Sequence, residues 1–273
     1  MFDLIVSMFS YNFILRALAV GILVSLCSAL LGVSLVLKRY SMIGDGLSHV
    51  GFGSLGVAMA CNVAPLAVAV PVVILAAFLL LRVSENSKIK GDAAIALIST
   101  SSLAIGIMAI SISKGMNSDV YGYMFGSILA MSNSDVILSI VLSVVVLILF
   151  VFFYHKIFAV TFDEDFARAT GIHVGFYNML IALLTAITIV LGMRMMGALL
   201  ISALIIFPAL ISMRVCRRFL SVILTSALIS VFCFFVGLTI SYLFAAPTGA
   251  SVVLVNVVVF LIFAAIGGIR KRG

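Results

Sequence analysis

The stretch Ser41 to Gly56, SMIGDGLSHVGFGSLG, sets Asp45 four residues before His49 in a run that otherwise reads as a buried helix. A spacing of four is about one helical turn, so the carboxylate and the imidazole share a stripe with Phe52, Gly53 and Gly56. What they do there depends on whether the surroundings are water or hydrocarbon.

Composition answers hydrocarbon. The chain has 273 residues, 65% hydrophobic and 9% charged, too few polar side chains to cover a water-soluble surface. Apolar runs of about 20 residues recur throughout, and at about 1.5 Å rise each is long enough for a bilayer core of roughly 30 Å. They predict helices at 12–37, 42–61, 63–82, 92–113, 134–154, 174–193, 196–213, 219–244 and 250–269. The fold class is therefore all-α, a polytopic membrane helical bundle of eight or nine transmembrane helices. No linker or fixed-period repeat divides it, so residues 1–273 form a single transmembrane domain.

The net charge of +7 follows membrane orientation. With the C-terminal Arg270, Lys271 and Arg272 in the cytoplasm, alternate connections collect Lys38 and Arg39, then Arg82, Lys88 and Lys90, then Lys156 and Arg168, then Arg214, Arg217 and Arg218. Only Arg16, Lys114 and Arg194 of the 16 basic residues fall on the other side. Nine spans put the N-terminus outside. This distribution gives no reason to expect a nucleic-acid partner. Cys27, Cys61, Cys216 and Cys233 stand singly, without disulfide or zinc-knuckle spacing. The segment MFDLIVSMFSYN lacks the basic start of a secretory signal, so it is expected to be retained. Nothing matches GxxxxGK[ST], so any ATP-driven work through a P-loop needs another chain.

Two readings of Asp45 and His49 stay open. A charge at the bilayer centre costs about 2.5–3.5 kcal/mol on insertion scales, an expense usually met by a cavity, a partner or a function. Oxygen and nitrogen donors one turn apart suit a transition metal, although two ligands are too few for a closed site, and a second copy of the chain would complete it. Alternatively, Asp45 caps the helix start or pairs with Arg39, and His49 is an interior histidine. Gly44, Gly46, Gly51, Gly53 and Gly56 make the span thin, which suits close packing or leaves room for a pathway.

The longest polar stretch assigned to the cytoplasm, IFAVTFDEDFARATGIH, follows Lys156. Thr161 and Glu164 have capping-box spacing, Asp163 and Asp165 add negative charge to a first turn, and Gly171 is placed as a C-terminal stop. The pattern predicts a helix of about nine residues, about 13 Å long. With Phe166 and Arg168 available it forms either a handle for a partner's groove or a solvated connection. In SENSKIKGD, Asp92 is expected to cap the next span. His155 and His173 are expected at the interface, and Met193, Arg194, Met195 and Met196 near the outer mouth, the methionines as packing. Pro208 removes a backbone hydrogen bond inside an apolar span and marks a kink or gate.

Taken in order, these motifs resemble the membrane permease family of ATP-binding-cassette importers for zinc, manganese and iron ions. RYSMIGDGLSHVGFGSLGVA (39–58), GDAAIALISTSSLAIGI (91–107), YMFGSILAMS (123–132), FDEDFARATGI (162–172), GALLISALIIFPAL (197–210) and APTGASVVLV (246–255) carry the likeness over nearly the whole chain. Many members have an acidic residue where this chain has Ser127. The resemblance implies an ABC importer permease fold in the cytoplasmic membrane of a prokaryote, without catalysis or a permanently bound cofactor of its own. It implies a second permease protomer, a cytoplasmic ATP-binding subunit dimer and an extracytoplasmic metal-binding protein, with membrane lipid around the spans. Within the chain it assigns Asp45 and His49 to the metal pathway. It makes 162–172, with Asp163, Glu164, Phe166, Arg168 and Gly171, the coupling helix. Zinc is favoured as the transported divalent ion, on frequency within the family, with manganese and iron as the other candidates. The competing expectations are a permease for metal chelates such as siderophores or cobalamin, and an ion-driven secondary carrier using Asp45 and His49 as a proton relay.

Overall fold

The computed structural model describes residues 10–86, 91–113, 122, 124, 126, 133–198 and 200–270. Among them the chain forms eleven α-helices and no strand: α1 (Asn12–Leu37), α2 (Ser41–Ala60), α3 (Pro65–Asn86), α4 (Gly91–Ser113), α5 (Asn133–Phe152), α6 (Tyr154–Phe162), α7 (Glu164–Ala169), α8 (Val174–Met196), α9 (Ile201–Val215), α10 (Phe219–Phe244) and α11 (Thr248–Arg270). Each of the nine expected apolar segments meets a helix. Seven of these helices are long and apolar enough to cross a membrane.

The other two, α2 and α9, account for the difference from eight or nine uniform spans. With 15 residues, α9 is short for a crossing. Although α2 has 20 residues, Asp45, His49 and its glycines dilute its hydropathy. Protein surrounds much of it: Leu47, Ser48, Val50, Phe52 and Leu55 are all buried. A helix enclosed by protein is released from the apolar composition that lipid demands. Asp92 falls at the second position of α4, whose start at Gly91 leaves it inside the helix.

The helices α1 and α8 form the centre, with 67% of the most apolar part of each buried, whereas α4 and α5 lie at the periphery with 22% and 28%. Leu97, Ile105, Ile112, Ile137 and Ile148 point outward from those two. Such faces match lipid. The buried Met193, Met195 and Met196 pack in the core, and Arg194 forms a largely buried ion pair with Asp135 of α5.

The extensive packing of α2 on α4 is made possible by missing side chains. A Cβ added at Gly53 would stand 2.3 Å from the Ser102 carbonyl oxygen, and one at Gly56 2.7 Å from that of Gly106. From the other side, a Cβ at Gly106 would stand 2.6 Å from the Gly53 Cα. Small residues that let backbones touch are a common means of joining helices in a bilayer, where apolar burial drives little association. At these positions the thin face of α2 is therefore a packing device.

Gly53→Val should lower stability by about 1–3 kcal/mol, because its side chain meets backbone that has no rotamer to yield. Gly175→Ala, with open space at its Cβ, is the control. Thermal unfolding in detergent measures both; a Gly53→Val protein that melts with the parent contradicts this account of the crossing.

Candidate functional site

Asp45 and His49 lie in the first half of α2. The Asp45 Oδ2 is 3.6 Å from the His49 Nε2, and Asp45 Oδ1 accepts a 3.3 Å hydrogen bond from the Ser202 hydroxyl on α9. Asp45 is the fifth helical residue, with Tyr40 at the N-cap position, so it does not cap α2. Its ion-pair partner among the described residues is His49, one turn along the same stripe, and not Arg39. The aspartate side chain is 42% exposed and the histidine 16%. The pair therefore opens onto a surface of the single chain, while the buried His49 Nδ1 has no hydrogen-bond partner within it.

This arrangement supplies one carboxylate and one imidazole to whatever occupies the opening. No group of three or more His, Cys, Asp or Glu side chains suited to a metal gathers among the described residues. One chain thus offers two neighbouring donors, with Ser202 orienting one of them. Sequence reading missed Ser202, since a serine in an apolar run carries no signal of a carboxylate partner 157 positions away. Ser127 and most of 123–132 lie outside the described residues.

The stretch expected to form one helix is divided by Asp163, whose backbone is extended at φ −150° and ψ 101°. Thr161 belongs to α6, and the cap of α7 is Asp163 itself, whose carboxylate accepts from the Phe166 amide at 2.9 Å. The expected Thr161 and Glu164 capping box gives way because Glu164 is engaged elsewhere. Its Oε1 accepts from the Lys38 Nζ at 2.5 Å and from the Asn178 Nδ2 at 3.2 Å. Downstream, the Gly171 amide bonds to the Arg168 carbonyl and that of Ile172 to Ala167, a paired closure that needs the left-handed conformation Gly171 adopts at φ +82°.

The six-residue α7 thus has two faces. Ala167 is fully buried and Glu164 turns inward, whereas Phe166 is 63% exposed and the side chains of Asp165 and Arg168 stand in solvent. Beside the outer face, Arg168, Gly171, His173 and Phe176 help line an open cavity of about 490 Å³. The Asp165–Arg168 pair at 3.8 Å is an exposed contact of small energetic weight.

This architecture matches the ABC importer permease fold. The chain belongs to the ABC 3 transport family, whose model matches residues 10–267. It is 29% identical over 260 residues to the manganese import system permease protein ScaB of Streptococcus gordonii, covering 95% of this chain and 93% of that one. To the high-affinity zinc uptake system membrane protein ZnuB of Haemophilus influenzae it is 27% identical over 252 residues, covering 92% and 97%. A solved structure of PsaBC from Streptococcus pneumoniae in complex with Fab aligns with a TM-score of 0.86 at 30% identity, over 96% of this chain and 94% of that one. The protein is an integral membrane transport permease.

Burial alone would raise the pKa of Glu164, but hydrogen bonds from Lys38 and Asn178 and the charges of Lys38 and Arg168 outweigh it, holding the carboxyl below its ordinary value. A depressed folded-state pKa contributes stability that is fully present above the ordinary glutamate value and is lost as pH falls through the depressed one. Amide exchange in Glu164–Ala169, corrected for its intrinsic pH dependence, should stay slow from neutral pH to the ordinary glutamate range and quicken below it. Unchanged protection through that window contradicts the anchoring role of Glu164.

Proposed function

We propose that two copies of this chain form the translocation path of an importer that moves a divalent first-row transition metal across a prokaryotic cytoplasmic membrane. The observation that carries the reading is the Asp45–His49 pair, aligned on α2, held by Ser202 and open on one side. Imidazole and carboxylate together suit manganese, iron and zinc, and two donors from each of two protomers make four around one axis. Weak, incomplete ligation within a single chain fits a site that must release its ion.

The relatives' names include both manganese and zinc systems, with manganese the more frequent among them. The expectation of zinc rested on family frequency, and an Asp and His pair does not separate the two ions. Metal arrives from an extracytoplasmic binding protein, and a cytoplasmic ATPase dimer docks on the outer face of α7 through Phe166 and Arg168. Asp163 and Gly171 terminate that helix and so fix the orientation of its docking face. In α9, Pro208 lacks an amide hydrogen six residues beyond Ser202, which supports its reading as a hinge in the helix that positions Asp45.

In vesicles containing the full complex, changing Asp45 and His49 to Ala should reduce uptake of radiolabelled manganese or zinc by at least about tenfold. ATPase copurification should remain. Competition between the two metals in the parent protein identifies the cargo. Undiminished uptake by the double variant removes the site assignment.

A further inference from the structure

We infer that Lys38 is a positioning residue that ties α7 to the corner between α1 and α2, delivering movement of α7 to the helix that carries Asp45 and His49. This deepens the proposed coupling role of α7 and rests on that reading. The Lys38 side chain is 5% exposed, unusual for a lysine unless it is paired. Its Nζ donates to Glu164 at 2.5 Å and to the Asn178 Oδ1 at 2.7 Å. The Asn178 amide in turn donates to Glu164, closing a three-membered network from α1, α7 and the first turns of α8.

The location of Lys38 gives this network its consequence. It is the C-cap of α1, and only Arg39 and Tyr40 separate it from α2. That connection is stiff: the Arg39 amide bonds to the Val36 carbonyl and the Tyr40 amide to that of Leu35. Arg39 adopts φ +61°, a left-handed conformation unfavourable to a residue with a Cβ. Backbone strain of this kind persists where surrounding contacts enforce it. Displacement of Glu164 therefore pulls on a corner that cannot absorb it by bending freely. Asp45 sits seven residues beyond Lys38, in the second turn of α2, with Ser202 of α9 on its carboxylate.

Beside the network, Lys38, Tyr40, Ile43, Asn178 and Thr185 help line a small cavity where α1, α2, α3 and α8 meet. That void is about 10 Å³, no larger than a single water, so the corner is closely packed around the network. The latch thus combines a firm grip on α7 with a stiff connection to the foot of α2.

Three variants of the reconstituted complex test this: Lys38→Met, Glu164→Gln, and the exchange of Lys38→Glu with Glu164→Lys. Each single variant should retain copurification with the ATPase and basal ATP hydrolysis while reducing uptake per ATP hydrolysed by roughly tenfold, the scale of coupling changes within a connected network. The exchange should restore much of the coupling, because Asn178 can turn its amide to serve reversed charges. Glu164→Gln keeps the volume of the glutamate and reports on the latch should Lys38→Met fail to fold.

Full coupling in Glu164→Gln overturns the latch. So does loss of ATPase copurification in step with transport, which would make Glu164 a docking residue. Phe166→Gly with Arg168→Ala is the separate arm: normal coupling and copurification in that variant sink the docking reading itself, whatever the latch variants do.

Discussion

The contact of α2 with α4, backbone against backbone at Gly53, Gly56 and Gly106, allows a helix bearing an aspartate and a histidine to sit within an apolar bundle. A polar helix facing lipid would leave its carboxylate and imidazole with neither water nor partners. Enclosed by α3, α4, α8 and α9, α2 needs polar access along one narrow stripe only. Asp45 and His49 occupy that stripe, and the serine from α9 fixes the carboxylate. The glycines are thus a requirement of the site even though none touches it.

A second constraint acts at the opposite end of the α1–α2 corner. The short α7 cannot persist alone, because helices of so few residues are marginal in water. Asp163 caps its start, Gly171 closes its end and the buried Ala167 fixes its inner side. Glu164 adds the connection to Lys38 and Asn178. Rigid attachment suits the proposed docking role of α7, since a loosely tethered helix would dissipate any displacement imposed on it.

Much of this was legible in the sequence because hydrocarbon is a strict solvent. Polar breaks in apolar runs placed α1 and α10 at their observed bounds and most other helices within a few residues. The four-residue spacing of Asp45 and His49 gave their shared face. What remained hidden was tertiary. Lys38 looked like an ordinary cytoplasmic charge, and nothing local links it to Glu164, 126 positions away. The break at Asp163 was missed because Thr161 and Glu164 satisfied a capping pattern whose glutamate is claimed by Lys38. The glycines of α2 announced a thin helix, but their partner at Gly106 emerged only when α4 was laid against it.

Direct ligation is the central claim, and electron spin-echo spectroscopy of the manganese-loaded complex tests it most directly. The account predicts nitrogen modulation from a coordinated imidazole that disappears in His49→Ala. The same nitrogen signal in that variant, or metal bound without it in the parent protein, would contradict a transit site built on Asp45 and His49.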